Sequence, residues 1–201
     1  MPQGKRRTIT LTAMVIAIGA LTVTFLVARD SDRKYALPKQ ACWNANAPAA
    51  LEPLMPDGGE LYEYAEPLEV LTTDAPERKK STYCTYSVDD HDTISVVIQD
   101  AARMGNPKDP KEHIGARVKN MNDLPFPGAA AISDSTEGKP DDRGTAVKAI
   151  TPCGANRAPY LEFWFHVTEY ANPDAKAREA ATVRLMKQTV STVKKELNCP
   201  R

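Results

Sequence analysis

Residues 81–99 read STYCTYSVDDHDTISVVIQ, and their alternation decides the fold. Thr82, Cys84, Tyr86 and Val88 fall on one face of an extended chain, and Ile94, Val96 and Ile98 do the same in the second run. Successive strand side chains point to opposite faces, so each run reads as a half-buried strand. Asp89, Asp90, His91 and Asp92 lie between them as a polar four-residue turn, which predicts an antiparallel hairpin.

Further strands follow on both sides. Residues 60–71 carry strand-forming side chains but are broken by Pro67, which predicts an edge strand or a bent one. Residues 128–134 and 145–151 flank the polar stretch 137–144 and predict a second hairpin. Residues 160–170 give the clearest single strand, with Leu161, Phe163, Phe165 and Val167 facing the core at period two. A short helix begins near Pro48 with Asn46 as its cap, placing Ala50, Leu51 and Leu54 inward. A second short helix is predicted over 109–120. The chain closes with a long helix after Asn172-Pro173-Asp174, whose apolar stripe is Val183, Met186, Val190, Val193 and Leu197. The expected architecture is α+β: about six mostly antiparallel strands, a short N-terminal helix and a long C-terminal helix packed on one sheet face.

The N-terminus has a different character. Residues 8–28 read TITLTAMVIAIGALTVTFLVA, without a charge. At 1.5 Å per residue this helix would span about 30 Å, the depth of a bilayer's hydrocarbon core. A cleaved signal peptide fits less well, because the apolar run is long and a cut after Ala28 would put Leu26 where a small residue belongs. A lipoprotein signal would need a cysteine just past the run, and the first is Cys42. The expected organisation is a cytoplasmic tail (1–7), a transmembrane signal anchor (8–28), a polar stalk (29–40) and one extracytoplasmic domain (41–201).

Basic residues do not orient the anchor. Lys5, Arg6 and Arg7 precede it and Arg29, Arg33 and Lys34 follow it. The short basic tail and the cysteines favour an outward domain. Formal net charge is zero, and the chain beyond Arg7 holds 23 basic and 26 acidic residues. That balance gives no electrostatic reason to bind nucleic acid. The lipid bilayer is the expected partner of residues 8–28, together with an unidentified protein or small molecule for the domain.

Four cysteines, Cys42, Cys84, Cys153 and Cys199, allow three disulfide connectivities. None of their spacings matches the C-x2-4-C pairs of structural zinc sites. Cys42–Cys84 and Cys153–Cys199 are the favoured pairs. The first would tie the domain entry to the first hairpin, and the second the end of the long helix to the loop before the best strand. Disulfides need an oxidising compartment.

Cys42-Trp43 before a short helix, Cys84-Thr85-Tyr86 on a strand, a third cysteine after a strand and a fourth after the last helix form a pattern. In outline it resembles small membrane-anchored or secreted actinobacterial proteins of the DUF3558 type. The resemblance implies an α+β sheet-and-helix fold and no activity. The chain departs from that family in lacking a lipobox.

Candidate chemistry is sparse. The D-D-H-D run around His91 lacks the D-x-D-x-D-G order of a calcium loop and reads as a solvated turn. His113 has no partner in the sequence. Glu162, Trp164, His166, Thr168 and Tyr170 share the outward face of the strand 160–170. Of these, Glu162, Trp164, His166 and Tyr170 are the candidate ligand-binding residues. No nucleophile elbow or phosphate loop is present, and no catalytic residue, metal or cofactor is expected. The leading expectation is an extracytoplasmic binding or interaction module. The alternative is an enzyme using the Trp164/His166 face.

Overall fold

The computed structural model describes residues 35–38, 42–45, 48–71, 81–101, 122–135, 142–155 and 158–199. The anchor at 8–28 and the helix at 109–120 therefore lie outside the described residues. Among the described residues, no helix is long and apolar enough to cross a membrane.

Among the described residues, seven strands form one sheet: β1 (Leu61–Ala65), β2 (Ser81–Val88), β3 (His91–Asp100), β4 (Asn122–Leu124), β5 (Ala129–Ser135), β6 (Gly144–Ala155) and β7 (Ala158–Thr168). Their order is β1-β2-β3-β7-β6-β5-β4, and every pairing is antiparallel. Two meanders thus meet where β7 lies down beside β3. A sheet of about six mostly antiparallel strands was expected; the seventh is the three-residue edge β4. Residues 60–71 resolve as the edge strand β1 and, past Pro67, a 3-10 turn at Leu68–Leu71.

The predicted first hairpin pairs as β2 with β3, but its turn is tighter than expected. Only Asp89 and Asp90 turn, with φ of 50° and 65°, while His91 and Asp92 already belong to β3. Left-handed conformations at both central residues are what a two-residue hairpin needs to match strand twist. A register shift between Tyr86 and Ser87 absorbs the extra chain. The Asp89 carboxylate accepts from the backbone N–H groups of Gly59 (3.0 Å) and Glu60 (2.9 Å), tying the turn to the start of β1.

Helix α1 (Pro48–Leu51) continues into a 3-10 turn at Glu52–Leu54, and Ala50, Leu51 and Leu54 are buried as expected. Helix α2 (Ala175–Glu196) covers one sheet face. Asp174 caps it by accepting from Ala177 N at 3.1 Å. Its buried side is Arg178, Ala181, Thr182, Leu185, Met186, Thr189, Val190 and Val193. Of the predicted stripe, Met186, Val190 and Val193 are buried. Val183 and Leu197 are only partly buried, because the helix turns its Ala181–Leu185 edge and two threonines toward the sheet. Beneath it lie Val147 of β6 and Phe163, Phe165 and Val167 of β7, in one core cluster with Ile94, Val96 and Ile98 of β3. Fully burying each such side chain contributes about 1.5–3 kcal/mol.

Both favoured disulfides form, Cys42–Cys84 and Cys153–Cys199. The second depends on how α2 stops. Cys199 N donates to Lys194 O (2.8 Å) and Asn198 N to Lys195 O (3.1 Å), with Asn198 at φ 54°. This is the hydrogen-bond pattern of a Schellman stop, with asparagine in the left-handed position. Tyr35 and Leu37, placed in the stalk by the sequence, pack against the core, and Tyr35 Oη donates to Pro56 O.

Candidate functional site

The sheet face away from α2 is built from the alternate residues of each strand. Register places Ser95, Val97 and Gln99 of β3 beside His166, Trp164 and Glu162 of β7. On the other side of β7, Ala146, Lys148 and Ile150 of β6 oppose the same three residues. These pairings line up three cross-strand rows. An open recess of about 290 Å³ is lined by Ser95, Val97, Gln99, Glu162, Trp164 and His166. Three of the four predicted face residues therefore meet there.

Tyr170 does not join them. It lies beyond the end of β7, and its ring stacks on His91 with centroids 4.6 Å apart. Thr168 is buried and donates to Asp92 O at 2.8 Å, closing the sheet rather than lining the recess. Alternation could not show where the strand ends: past it, Tyr170 packs partly buried against the core.

Charge in the recess is paired internally. Lys148 Nζ lies 2.5 Å from Glu162 Oε1, with both side chains at most 2% exposed. Gln99 Nε2 donates to Glu162 Oε2 at 2.9 Å. Lys148 Nζ also sits 5.3 Å from the centroid of the Trp164 ring, within cation–π range. Trp164 itself is 46% exposed. At the other end, burial pulls the His166 imidazole below its ordinary range. A hydrogen bond to the Asp142 backbone and the Asp142 charge oppose that shift, and the Arg178 charge adds to it.

Sequence reasoning missed Lys148, Gln99, Ser95 and Val97. Lys148 carried one signal: it is the only charge in the run 144–153. The partners on β3 were not accessible, because nothing local says that β3 lies beside β7.

Glu162 and His166 are four residues apart on one strand, which separates their α-carbons by about 13 Å. At that separation they do not share a proton or a small reacting group. The recess can stack, hydrogen-bond and orient a ligand, but Glu162 and His166 do not work on it as an acid–base pair.

Among the described residues, two other hollows are larger. One of about 470 Å³ is lined by Glu60, Tyr62, Ser87, Asp89 and Asp90, and the Asp89 carboxylate there already holds the β1 backbone. Another of about 400 Å³ lies between Phe126 and the α2 residues Lys187, Val190 and Lys194. Neither gathers an exposed aromatic ring with hydrogen-bonding groups on rigid central strands. Among the described residues, metal-type ligand atoms cluster at Cys42, Glu63 and Cys84, where the two sulfurs are joined to each other and offer no thiolate.

No protein-family model, no curated protein and no solved structure matches the chain.

Proposed function

We propose that this chain is a membrane-tethered extracytoplasmic module that binds a ligand on the outer face of its sheet and performs no chemistry on it. The observation that carries this reading is Trp164. It is a large aromatic ring left 46% exposed at the centre of a rigid sheet, over a recess with hydrogen-bonding groups on both sides. Large apolar surface exposed beside placed polar groups is the usual make-up of a binding site. The separation of Glu162 from His166 speaks against catalysis there.

The address rests on two supports. Residues 8–28 are uncharged and long enough to span a bilayer. Both disulfides fit an oxidising compartment, which supports a domain outside the cytoplasm. The same cysteine order supports the outline likeness to DUF3558-type proteins, which brings no activity with it.

Emission from Trp164 tests the binding role. The chain has two tryptophans. Trp43 is half-buried and donates to Glu66 O at 2.6 Å, so Trp43→Phe leaves Trp164 as the reporter. Titration with short peptides, neutral oligosaccharides and lipid vesicles should give a saturable change with at least one class. Conversion of a bound compound to product would overturn the non-enzymatic reading. Protease treatment of intact cells tests the address: protection of the domain would overturn the outward topology.

A further inference from the structure

The outer face carries a band of exposed aromatic rings that crosses neighbouring strands. Tyr64 on β1 stacks near Tyr83 on β2, with ring centroids 5.3 Å apart. Tyr83 pairs with Val97 on β3, and Val97 pairs with Trp164 on β7. Tyr64, Tyr83 and Trp164 are 41%, 38% and 46% exposed, while the core-facing Tyr86, Phe163 and Phe165 are buried. Tyr83 and Trp164 are two strand spacings apart, roughly 10 Å. The band is flanked by hydrogen-bonding side chains on both sides: Ser95 and His166 in one row, Gln99 and Glu162 in the other.

Charge narrows the ligand. Lys148 and Glu162 neutralise each other, and among the described residues no other Lys or Arg lines the recess. Nucleic acid is bound chiefly through lysine and arginine contacts to phosphate, so this face is a poor one for it. A hydrophobic peptide would want a continuous apolar groove, and here polar rows interrupt the aromatic band. The chemistry that matches is a neutral, hydroxyl-rich molecule with a flat C–H face. A pyranose sugar has both: one face stacks on an aromatic ring and its rim hydroxyls bond to flanking polar groups.

We infer that this face binds a neutral oligosaccharide, with successive sugar rings lying across β2, β3 and β7 on Tyr83 and Trp164. The inference rests on the binding role proposed above and names its ligand class. Stacking fixes the plane of the sugar, and Ser95, Gln99 and His166 select its hydroxyl pattern.

The test uses the full-length chain carrying Trp43→Phe, in a detergent without a sugar headgroup. Cellotetraose, chitotetraose and mannotetraose are the probes, read by Trp164 emission. At least one should produce a saturable shift. Tyr83→Ala should weaken that binding by about 3- to 10-fold, the value of one aromatic contact. Trp164→Ala, read by calorimetry and checked for folding by circular dichroism, should abolish it, while Trp164→Phe should retain part of it. No saturable response to any of the three sugars, or binding that survives Trp164→Ala in folded protein, overturns the assignment. If peptides or vesicles bind in a Trp164-dependent manner and the sugars do not, the sugar assignment falls and the binding role stands. If no class binds, both fall.

Discussion

Lys148 Nζ lies 2.5 Å from Glu162 Oε1 on the outer sheet face, and both side chains are almost fully buried. Two charges taken out of water on neighbouring strands are held by each other and by Gln99 Nε2 at 2.9 Å from Glu162 Oε2. Removing one partner strands the other. Lys148→Met should therefore destabilise the domain by about 3–5 kcal/mol. The double variant Lys148→Met with Glu162→Leu should recover most of that loss, since a buried pair replaced by apolar side chains is often neutral. Urea denaturation of the wild type, both single variants and the double variant measures the coupling. A single variant as mild as the double would show that the pair is not electrostatically isolated from water.

The Cys153–Cys199 bond closes a loop with a sequence separation of 46 residues. In the chain-entropy account, a loop of that length is worth about 4 kcal/mol, because the unfolded chain loses closure entropy. Cys153→Ser with Cys199→Ser should lower stability by that order. Asn198→Ala should cost less but act at the same place, because it forces an alanine into the left-handed position that ends α2 (φ 54°). Its expected cost is about 1 kcal/mol. Equilibrium denaturation with and without reductant separates the two effects: the double serine variant should be insensitive to reduction of this bond.

Strand identity was legible wherever one face is buried and the other is not. Thr82, Cys84, Tyr86 and Val88 in β2, and Leu161, Phe163, Phe165 and Val167 in β7, are all buried as alternation predicts. Disulfide partners were legible because each favoured pair joins an element end to a nearby strand. The helix stripe was less so. Arg178, Thr182 and Thr189 are buried on α2, and a reading that accepts only apolar residues rotates the face away from them. The recess was half legible. Glu162, Trp164 and His166 follow from one strand's period. Lys148, Gln99 and Ser95 come from other strands, and their placement depends on long-range pairing that no local pattern encodes. The tight turn at Asp89-Asp90 was missed for another reason: two aspartates stand where asparagine and glycine usually signal it.

Arg178 is the polar pin between helix and sheet. Its side chain is 3% exposed. Nε donates to Thr145 Oγ1 at 3.0 Å, Nη2 meets Asp134 Oδ1 at 2.7 Å, and Nη1 donates to the Asn172 carbonyl. The planar guanidinium reaches β5, β6 and the α2 entry together, which an ammonium on a flexible stem does not reproduce. Arg178→Lys should destabilise by about 1–3 kcal/mol and Arg178→Ala by more, as buried acceptors lose their donors. Thermal unfolding of both variants checks the order. Equal loss in the two would mean that charge alone, not the fork geometry, holds the helix.

His166 makes stability depend on pH in a defined direction. Burial holds its folded pKa below the ordinary 6.5, against the opposing pull of Asp142 and with a smaller push from Arg178. Well above pH 6.5 the imidazole is neutral in both states and contributes no slope. As pH falls through 6.5 the unfolded chain takes up the proton first, so the folded state loses stability down to its own lower pKa. Glu63 works the other way at more acid pH, since burial raises its carboxyl despite the hydrogen bond from Tyr86. The His166 contribution is therefore read as a difference: denaturation midpoints of wild type and His166→Gln between pH 7.5 and 5 (a range of about one unit or more on each side of the ordinary value). The wild type should lose stability relative to the variant on acidification. Parallel curves would show that the folded imidazole protonates as freely as the unfolded one. Ligand binding should sharpen the effect. A neutral His166 serves as both donor and acceptor, and its protonation removes the acceptor. Affinity for a ligand bonded to that acceptor should then fall as pH drops through the folded pKa, at the acid end of that window, while Trp164→Phe should leave the midpoint of the pH dependence unchanged.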